Sequence, residues 1–190
     1  MSKDKEVRDI IDEILEDHRE LEEYYAKYKA SKSTEEAQKW FNLFVWEVSR
    51  HSVAEEIVLY PWMEARDERG IQMAKESRED HRRQKELLED LRKETDPVKF
   101  DEKFDFLFKD LEEHLKKEEV EDLNYVKEQF TLHERKKASK SFSLRKKLAP
   151  TRPHPEIPDK PTALEVGLGL LVTPIDKLKD VFTAFPEEEK

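Results

Sequence analysis

The sequence predicts an all-α fold: an up-down-up-down four-helix bundle followed by a Pro-rich C-terminal tail. Three observations predict it. The 190 residues include only 3 Gly, too few for a turn-rich β fold or for a phosphate-cradling loop, and 43% of them are charged, the mix of long solvated helices. Apolar residues recur at spacings of three and four over long stretches. Of the 9 Pro, only Pro61 and Pro97 precede residue 150, so the chain before Pro150 can run as long helices and the chain after it cannot.

Four segments carry the helical period. The first runs from about Asp4 to Ala30, with Ile10, Ile11, Ile14, Leu15, Leu21, Tyr24, Tyr25 and Tyr28 on its apolar side. Ser33-Thr34-Glu35-Glu36 resembles a capping box and starts the second, which carries Trp40, Phe41, Phe44, Val48 and Leu59 and ends near Pro61–Arg66. The third follows the turn at Gly70 and reaches about Thr95, with Leu87, Leu88 and Leu91 facing inward. Asp96-Pro97 is an N-cap and first-turn pair for the fourth, which holds Phe100, Phe104, Leu107, Leu111, Leu115, Leu123 and Val126. Short connections make neighbouring helices antiparallel. Residues 1–133 are therefore read as the bundle and 134–190 as a basic, then Pro-rich tail.

The charge balance narrows the function. With 36 Lys+Arg against 46 Asp+Glu the net charge is −10, a sign that repels phosphate backbones, so a general nucleic-acid binder is not expected. Having 0 Cys excludes disulfide scaffolds, thiol nucleophiles and Cys-ligated zinc or iron–sulfur centres. No apolar leader opens the sequence and no stretch is long and apolar enough to cross a bilayer. A cytoplasmic protein is expected, or a nuclear one if the basic run Arg135-Lys136-Lys137, Lys140 and Arg145-Lys146-Lys147 acts as an import signal.

An internal repeat locates the chemistry. Asp17-His18-Arg19 recurs as Asp80-His81-Arg82, a shift of 80 − 17 = 63 residues. The same shift places Phe41 on Phe104, Val48 on Leu111, His51 on His114, and Glu55-Glu56 on Glu118-Glu119. Each half is thus a helical hairpin with one His on its first helix and a His-x-x-x-Glu on its second. Residues four apart share a helical face, so each His and Glu of that motif can point inward together. Counted from the loops, His18, His51, Glu55, His81, His114 and Glu118 reach one level of the bundle. Their flanks, such as Ile14, Leu21, Val48, Leu88 and Leu111, are apolar. Burying four imidazoles and two carboxylates there costs several kcal/mol per charge without compensation. A lone core His is usually met by hydrogen bonds. A doubled set of six points instead to a metal centre, with a donor mix suited to iron, manganese or zinc. Two six-coordinate ions, four His, two bridging carboxylates and one shared oxo or hydroxo leave about one open position per ion.

These residues carry a family resemblance. DHRELEEYY at 17–25, FVWEVSRHSVAEEIVLYPWME at 44–64, DHRRQKELLEDL at 80–91 and HLKKEE at 114–119 resemble the hemerythrin-type HHE cation-binding domain over roughly residues 4–130. The resemblance implies a non-haem di-iron centre with an oxo or hydroxo bridge that binds dioxygen or a related small ligand. His18, His51, His81 and His114 would be its nitrogen ligands, with Glu55 and Glu118 bridging. It also marks a departure. Oxygen-carrying relatives have a further His one turn after the third-helix His, where this chain has Lys85. That loss is expected to open both ions more equally and to shift the role from reversible carriage toward oxygen, iron or redox sensing, or storage. Glu118 is preferred to Glu119 because it mirrors Glu55. Glu22 is read as a seventh ligand or a solvent-side charge, and Glu56, Glu119 and Lys85 as solvated faces.

Two other functional classes stand beside this one: a di-iron oxidase or peroxidase, and a metal-free helical interaction module. The basic run is expected to form a solvated helix extension. The apolar stretch ALEVGLGLLVTPIDKLKDVF at 163–182 could dock on the bundle, lie on a membrane surface or bind a partner protein.

Overall fold

In the computed structural model, residues 8–153, 176 and 183–186 are described. They are all-helical. Helix α1 spans Ile10–Ala30 and α2 spans Thr34–Ala54; a π-helical turn over Glu55–Leu59 leads straight into α3, Tyr60–Glu64. Then come α4 (Glu68–Leu91), α5 (Pro97–Val120), α6 (Asp122–Gln129) and α7 (Leu132–Leu148). Helix α1 packs on α2 and α5, and α4 packs on α3 and α5, the ring of an up-down-up-down bundle. No helix among the described residues is long and apolar enough to cross a membrane.

The caps follow the local sequence. Ser33 accepts the Glu36 N–H at 3.1 Å, but the Glu36 carboxylate reaches back to the Lys32 N–H at 2.9 Å, so the expected capping box closes one residue early. Asp96 accepts the N–H groups of Val98 at 3.0 Å and Lys99 at 3.3 Å, ahead of Pro97, whose missing N–H costs nothing in the first turn. Asp67 caps α4 by accepting from the Gly70 N–H at 2.8 Å. Gly70 is required there: a Cβ on it would lie 2.1 Å from the Met63 carbonyl oxygen, so α3 and α4 can meet this closely only without a side chain.

Two departures from simple helices matter for function. The second helix is not uniform. Its π turn closes with the Tyr60 N–H on the Glu55 carbonyl, and Pro61 follows at once. Proline lacks an N–H and its ring clashes with the carbonyl four residues back; the widened turn accommodates both. The last helix also breaks, at Glu121, and restarts as α6.

The basic run is helical, as expected, but it is not solvated throughout. Helix α7 folds back over α1, α2 and the π turn. Phe142 is buried against that seam, Arg135 pairs with Asp9 at 2.8 Å, Ser143 donates to Glu13 at 2.9 Å, and Lys146 pairs with both Asp17 and Glu47. Beyond it, Arg152 donates to the carbonyl of Asp176 at 2.8 Å, Asn42 on α2 donates to the carbonyl of Ala184 at 2.9 Å, and Phe185 meets Trp46 at 6.3 Å between ring centres. Apart from Asp176, the apolar stretch 163–182 lies outside the described residues.

Apolar side chains form two clusters. One contains Leu21, Tyr24, Phe41, Phe44, Val48, Leu88, Phe104, Leu107 and Leu111. The other contains Ile10, Ile14, Ala54, Leu59, Tyr60, Met63, Leu123, Val126 and Phe142. Along α1 the order is Ile10 and Ile14, then His18, then Leu21 and Tyr24. A polar layer thus sits between the two apolar ends and out of water.

Candidate metal centre

The structure brings all six residues singled out by the repeat into that layer. His18, His51, Glu55 and Glu118 form one group, and Glu55, His81 and His114 a second; within each group one ligand atom per residue lies within 4.8 Å of every other. Every one of these residues is buried. His51 Nε2 is 3.3 Å from Glu55 Oε1, and His81 Nε2 is 3.4 Å from Glu55 Oε2, so this carboxylate turns one oxygen to each group. Glu118 Oε2 lies 3.4 Å from His18 Nε2 and 3.8 Å from His114 Nε2, again touching one His of each group. The His81 and His114 Nε2 atoms are 3.2 Å apart.

Each imidazole is held from behind through Nδ1 by a carboxylate. Glu119 is 2.9 Å from His18, Asp17 is 3.1 Å from His51, Glu56 is 3.0 Å from His81, and Asp80 is 3.5 Å from His114. This outer ring obeys the repeat: Asp17 and Asp80 correspond, as do Glu56 and Glu119. An anionic acceptor at Nδ1 keeps the proton there and turns the Nε2 lone pair inward. Cations hold the acids in turn. Lys146 pairs with Asp17, Arg83 with Asp80 at 3.0 Å, and Lys85 with Glu56 at 2.8 Å.

Several expectations change here. Glu56 is buried and its neighbour Lys85 is nearly so, bound to the ring rather than to solvent. Glu119 also joins the ring, although its side chain is 40% exposed. Adjacent helical residues diverge by about a quarter turn, which lets Glu55 face inward while Glu56 reaches the helix alongside. Glu22, by contrast, is exposed. Two buried groups beside the centre are not among the residues singled out from the sequence. Tyr60 Oη lies 3.1 Å from His81 Nε2 and 3.4 Å from Glu55 Oε2. Asp122, one turn beyond Glu118, accepts from Ser77 at 2.9 Å and is pushed up to about 7 by burial and by Glu118. Asp122 repeats the four-residue step of His114 and Glu118, which could have drawn attention to it.

The electrostatics show a frustrated polar interior. Burial drives Glu55 well above the carboxylate range, and the nearby Glu118 adds to this. Burial would raise Glu118 too, but His18, His114 and His51 outweigh it and hold this acid low. Burial lowers His18, yet Glu118 and Glu119 overcome it and raise the imidazole to about 9. His81 falls to about 4, chiefly by burial. Two carboxylates at this depth resist sharing two negative charges. The inward atoms His18 Nε2, His51 Nε2, Glu55 Oε1 and both Glu118 oxygens have no hydrogen-bond partner. Buried polar atoms are rarely left so, and five converging on one place is a pattern cations resolve. The residues fit metal ions: imidazole Nε2 atoms turned inward, carboxylates reaching both groups, and an outer ring fixing direction, with a cation able to take the place of the proton on His18.

Comparisons with known proteins agree. The family description "Hemerythrin HHE cation binding domain" matches residues 9–126. A protein of Schizosaccharomyces pombe, described as an uncharacterised hemerythrin-like protein, is 37% identical over 179 residues, covering 93% of this chain and 88% of its own length. No solved structure matches.

Proposed function

The chain belongs to the hemerythrin HHE cation-binding domain family, and from that premise and the donor geometry we propose that it is a non-haem di-iron protein that binds dioxygen or a related small ligand. The role is oxygen, iron or redox sensing, or storage. In this reading His18 and His51 would hold one ion and His81 and His114 the other, Glu55 and Glu118 would reach both, and an oxo or hydroxo group would complete the centre. The observation that supports it most is the convergence of orphaned inward atoms, each imidazole steered by a carboxylate at its back. Manganese and zinc suit the same donors, so metal identity is part of the test.

When bound, the iron centre supplies one-electron redox chemistry and an open position for a diatomic ligand. The chain's own residues set the conditions. Leu21, Phe44, Val48, Leu111 and Ile14 exclude water on both sides of the layer. The outer acids hold the imidazole protons in place and raise the basicity of the inward nitrogens. A metal-free interaction module gives no reason for these inward atoms to converge with an acid behind each imidazole.

The test is optical. Full-length protein loaded with ferrous iron without oxygen and then exposed to air changes its near-ultraviolet and visible spectrum if the centre meets oxygen. A spectrum unmoved by oxygen or nitric oxide overturns the ligand-binding reading. Sustained turnover of peroxide with a reductant would move the protein to the oxidase or peroxidase class.

A further inference from the structure

Tyr60 occupies a position that neither the repeat nor the four-residue spacing supplies. Its ring is fully buried, and its Oη meets only the centre: His81 Nε2 at 3.1 Å and Glu55 Oε2 at 3.4 Å. Both atoms are among those assigned to metal. Once His81 Nε2 commits its lone pair to a cation, it can no longer accept from the phenol. Only the longer contact, to Glu55, would then be left to a fully buried hydroxyl, and a buried hydroxyl is costly to leave poorly partnered.

The spacing offers a resolution. Donors about 2.1 Å from a common ion and at right angles lie about 3 Å from one another. The pairs His81–His114 at 3.2 Å, His81–Glu55 at 3.4 Å, Tyr60–His81 at 3.1 Å and Tyr60–Glu55 at 3.4 Å all approach that separation. Tyr60 Oη is placed as the other donors are placed.

The two halves of the centre differ at this point. On the shift of 63 residues the counterpart of Tyr60 is Leu123, so the His18/His51 side has no equivalent oxygen. The His81/His114 side is also the one where Lys85 stands a turn after His81, its ammonium committed to Glu56 at 2.8 and 2.9 Å. The side that carries this lysine is also the side that has the phenol. The π turn brings this about: closing over five residues instead of four, it sets Tyr60 directly beyond Glu55.

We propose that Tyr60 is a seventh protein ligand of the centre, its phenolate oxygen binding the ion held by His81 and His114. The inference rests on the di-iron reading above and goes beyond it. On binding, the phenol O–H bond breaks, the oxygen–metal bond forms and the proton leaves to solvent; no electrons are transferred. A hard anionic oxygen favours the ferric over the ferrous state and fills a position that the exogenous ligand would otherwise use. The chain's own donors to the two ions would then be unequal in number and kind. This differs from the expectation, drawn from Lys85 alone, that both ions are opened more equally.

Ferric-loaded, full-length protein tests the proposal. A ferric phenolate has a visible charge-transfer band and, with excitation in that band, resonance-enhanced tyrosinate ring vibrations. Tyr60→Phe keeps the ring and is expected to abolish both while two ions per chain remain bound. Tyr125→Phe, at a phenol bonded to Asp67 outside the centre, is expected to leave both unchanged. Two bound ferric ions in the wild-type protein without a tyrosinate signature would overturn the ligation but leave the di-iron reading standing. A signature that survives in Tyr60→Phe overturns it equally. Failure to hold iron at all removes the di-iron reading, and the ligation with it.

Discussion

In the first hairpin, Asp17 backs His51 and is held by Lys146, which arrives from α7; in the second, Asp80 backs His114 and is held by Arg83 from its own helix. The inward donors of the two hairpins are the same residues at the same spacing. Their supports are not. Lys146 is 14% exposed and serves two buried acids, Asp17 and Glu47, whereas the Arg83 side chain is 51% exposed. Tyr60 stands on one side only, with Leu123 as its counterpart. The internal repeat therefore pairs the inward-facing atoms of the two hairpins, while their surroundings differ. The lesson is that a repeat constrains what points inward more tightly than what holds it there.

The comparison can be broken most severely at the inward donors. On the proposed assignment His51→Ala and His114→Ala each take an imidazole from a different ion, so each is expected to lose about one ion per chain and lower the melting temperature, because metal held only by the folded state stabilises it. Metal analysis and calorimetry on the loaded proteins check this; unchanged metal and melting in both variants would refute the assignment. Next comes Lys146→Met. Removing the cation leaves buried Glu47 with Arg50 at 3.4 Å and buried Asp17 with His51 at 3.1 Å, and breaking such a buried pair costs about 3–5 kcal/mol. Urea unfolding reads that cost, and a loss no larger than for a surface lysine would show that α7 does not support the first hairpin.

Asp17→Asn and Asp80→Asn sharpen the comparison one step further out. Each is expected to weaken metal binding about 10–100-fold, by loosening the imidazole it orients. Competition against a chelator measures both. Matching losses indicate that the outer ring is symmetric in energy as well as in sequence. The smallest effect belongs to Arg83→Ala. That pair is half exposed, and its removal should cost less than about 1 kcal/mol. A loss as large as that of Lys146→Met would erase the distinction drawn between the two supports.

Much of this was legible in the sequence because it depends on helical geometry. The period of three and four placed Ile14, Leu21, Val48, Leu88 and Leu111 inside, and the doubled Asp-His-Arg and His-x-x-x-Glu together placed six donors at one level. What could not be read depends on how helices lie against each other. Asp17 and Asp80 point away from the His beside them in the chain, as adjacent helical residues must. They orient the His of the neighbouring helix, which only packing reveals. Glu56 looked solvated for the same reason. Helix α7 has too few apolar residues to announce a buried face; Phe142 and a lysine stem supply it. Tyr60 escaped because five-residue spacing has no place in an α-helical pattern. Pro61, just beyond it, was the visible sign that the second helix could not continue unchanged.

The most direct measurement is the number of ions bound per chain after anaerobic loading of the full-length protein with ferrous iron and removal of loosely held metal. The account predicts two iron ions per chain, and about one in the His51→Ala and His114→Ala variants alike. A wild-type chain that retains no iron, manganese or zinc, or whose metal content ignores both substitutions, would contradict it.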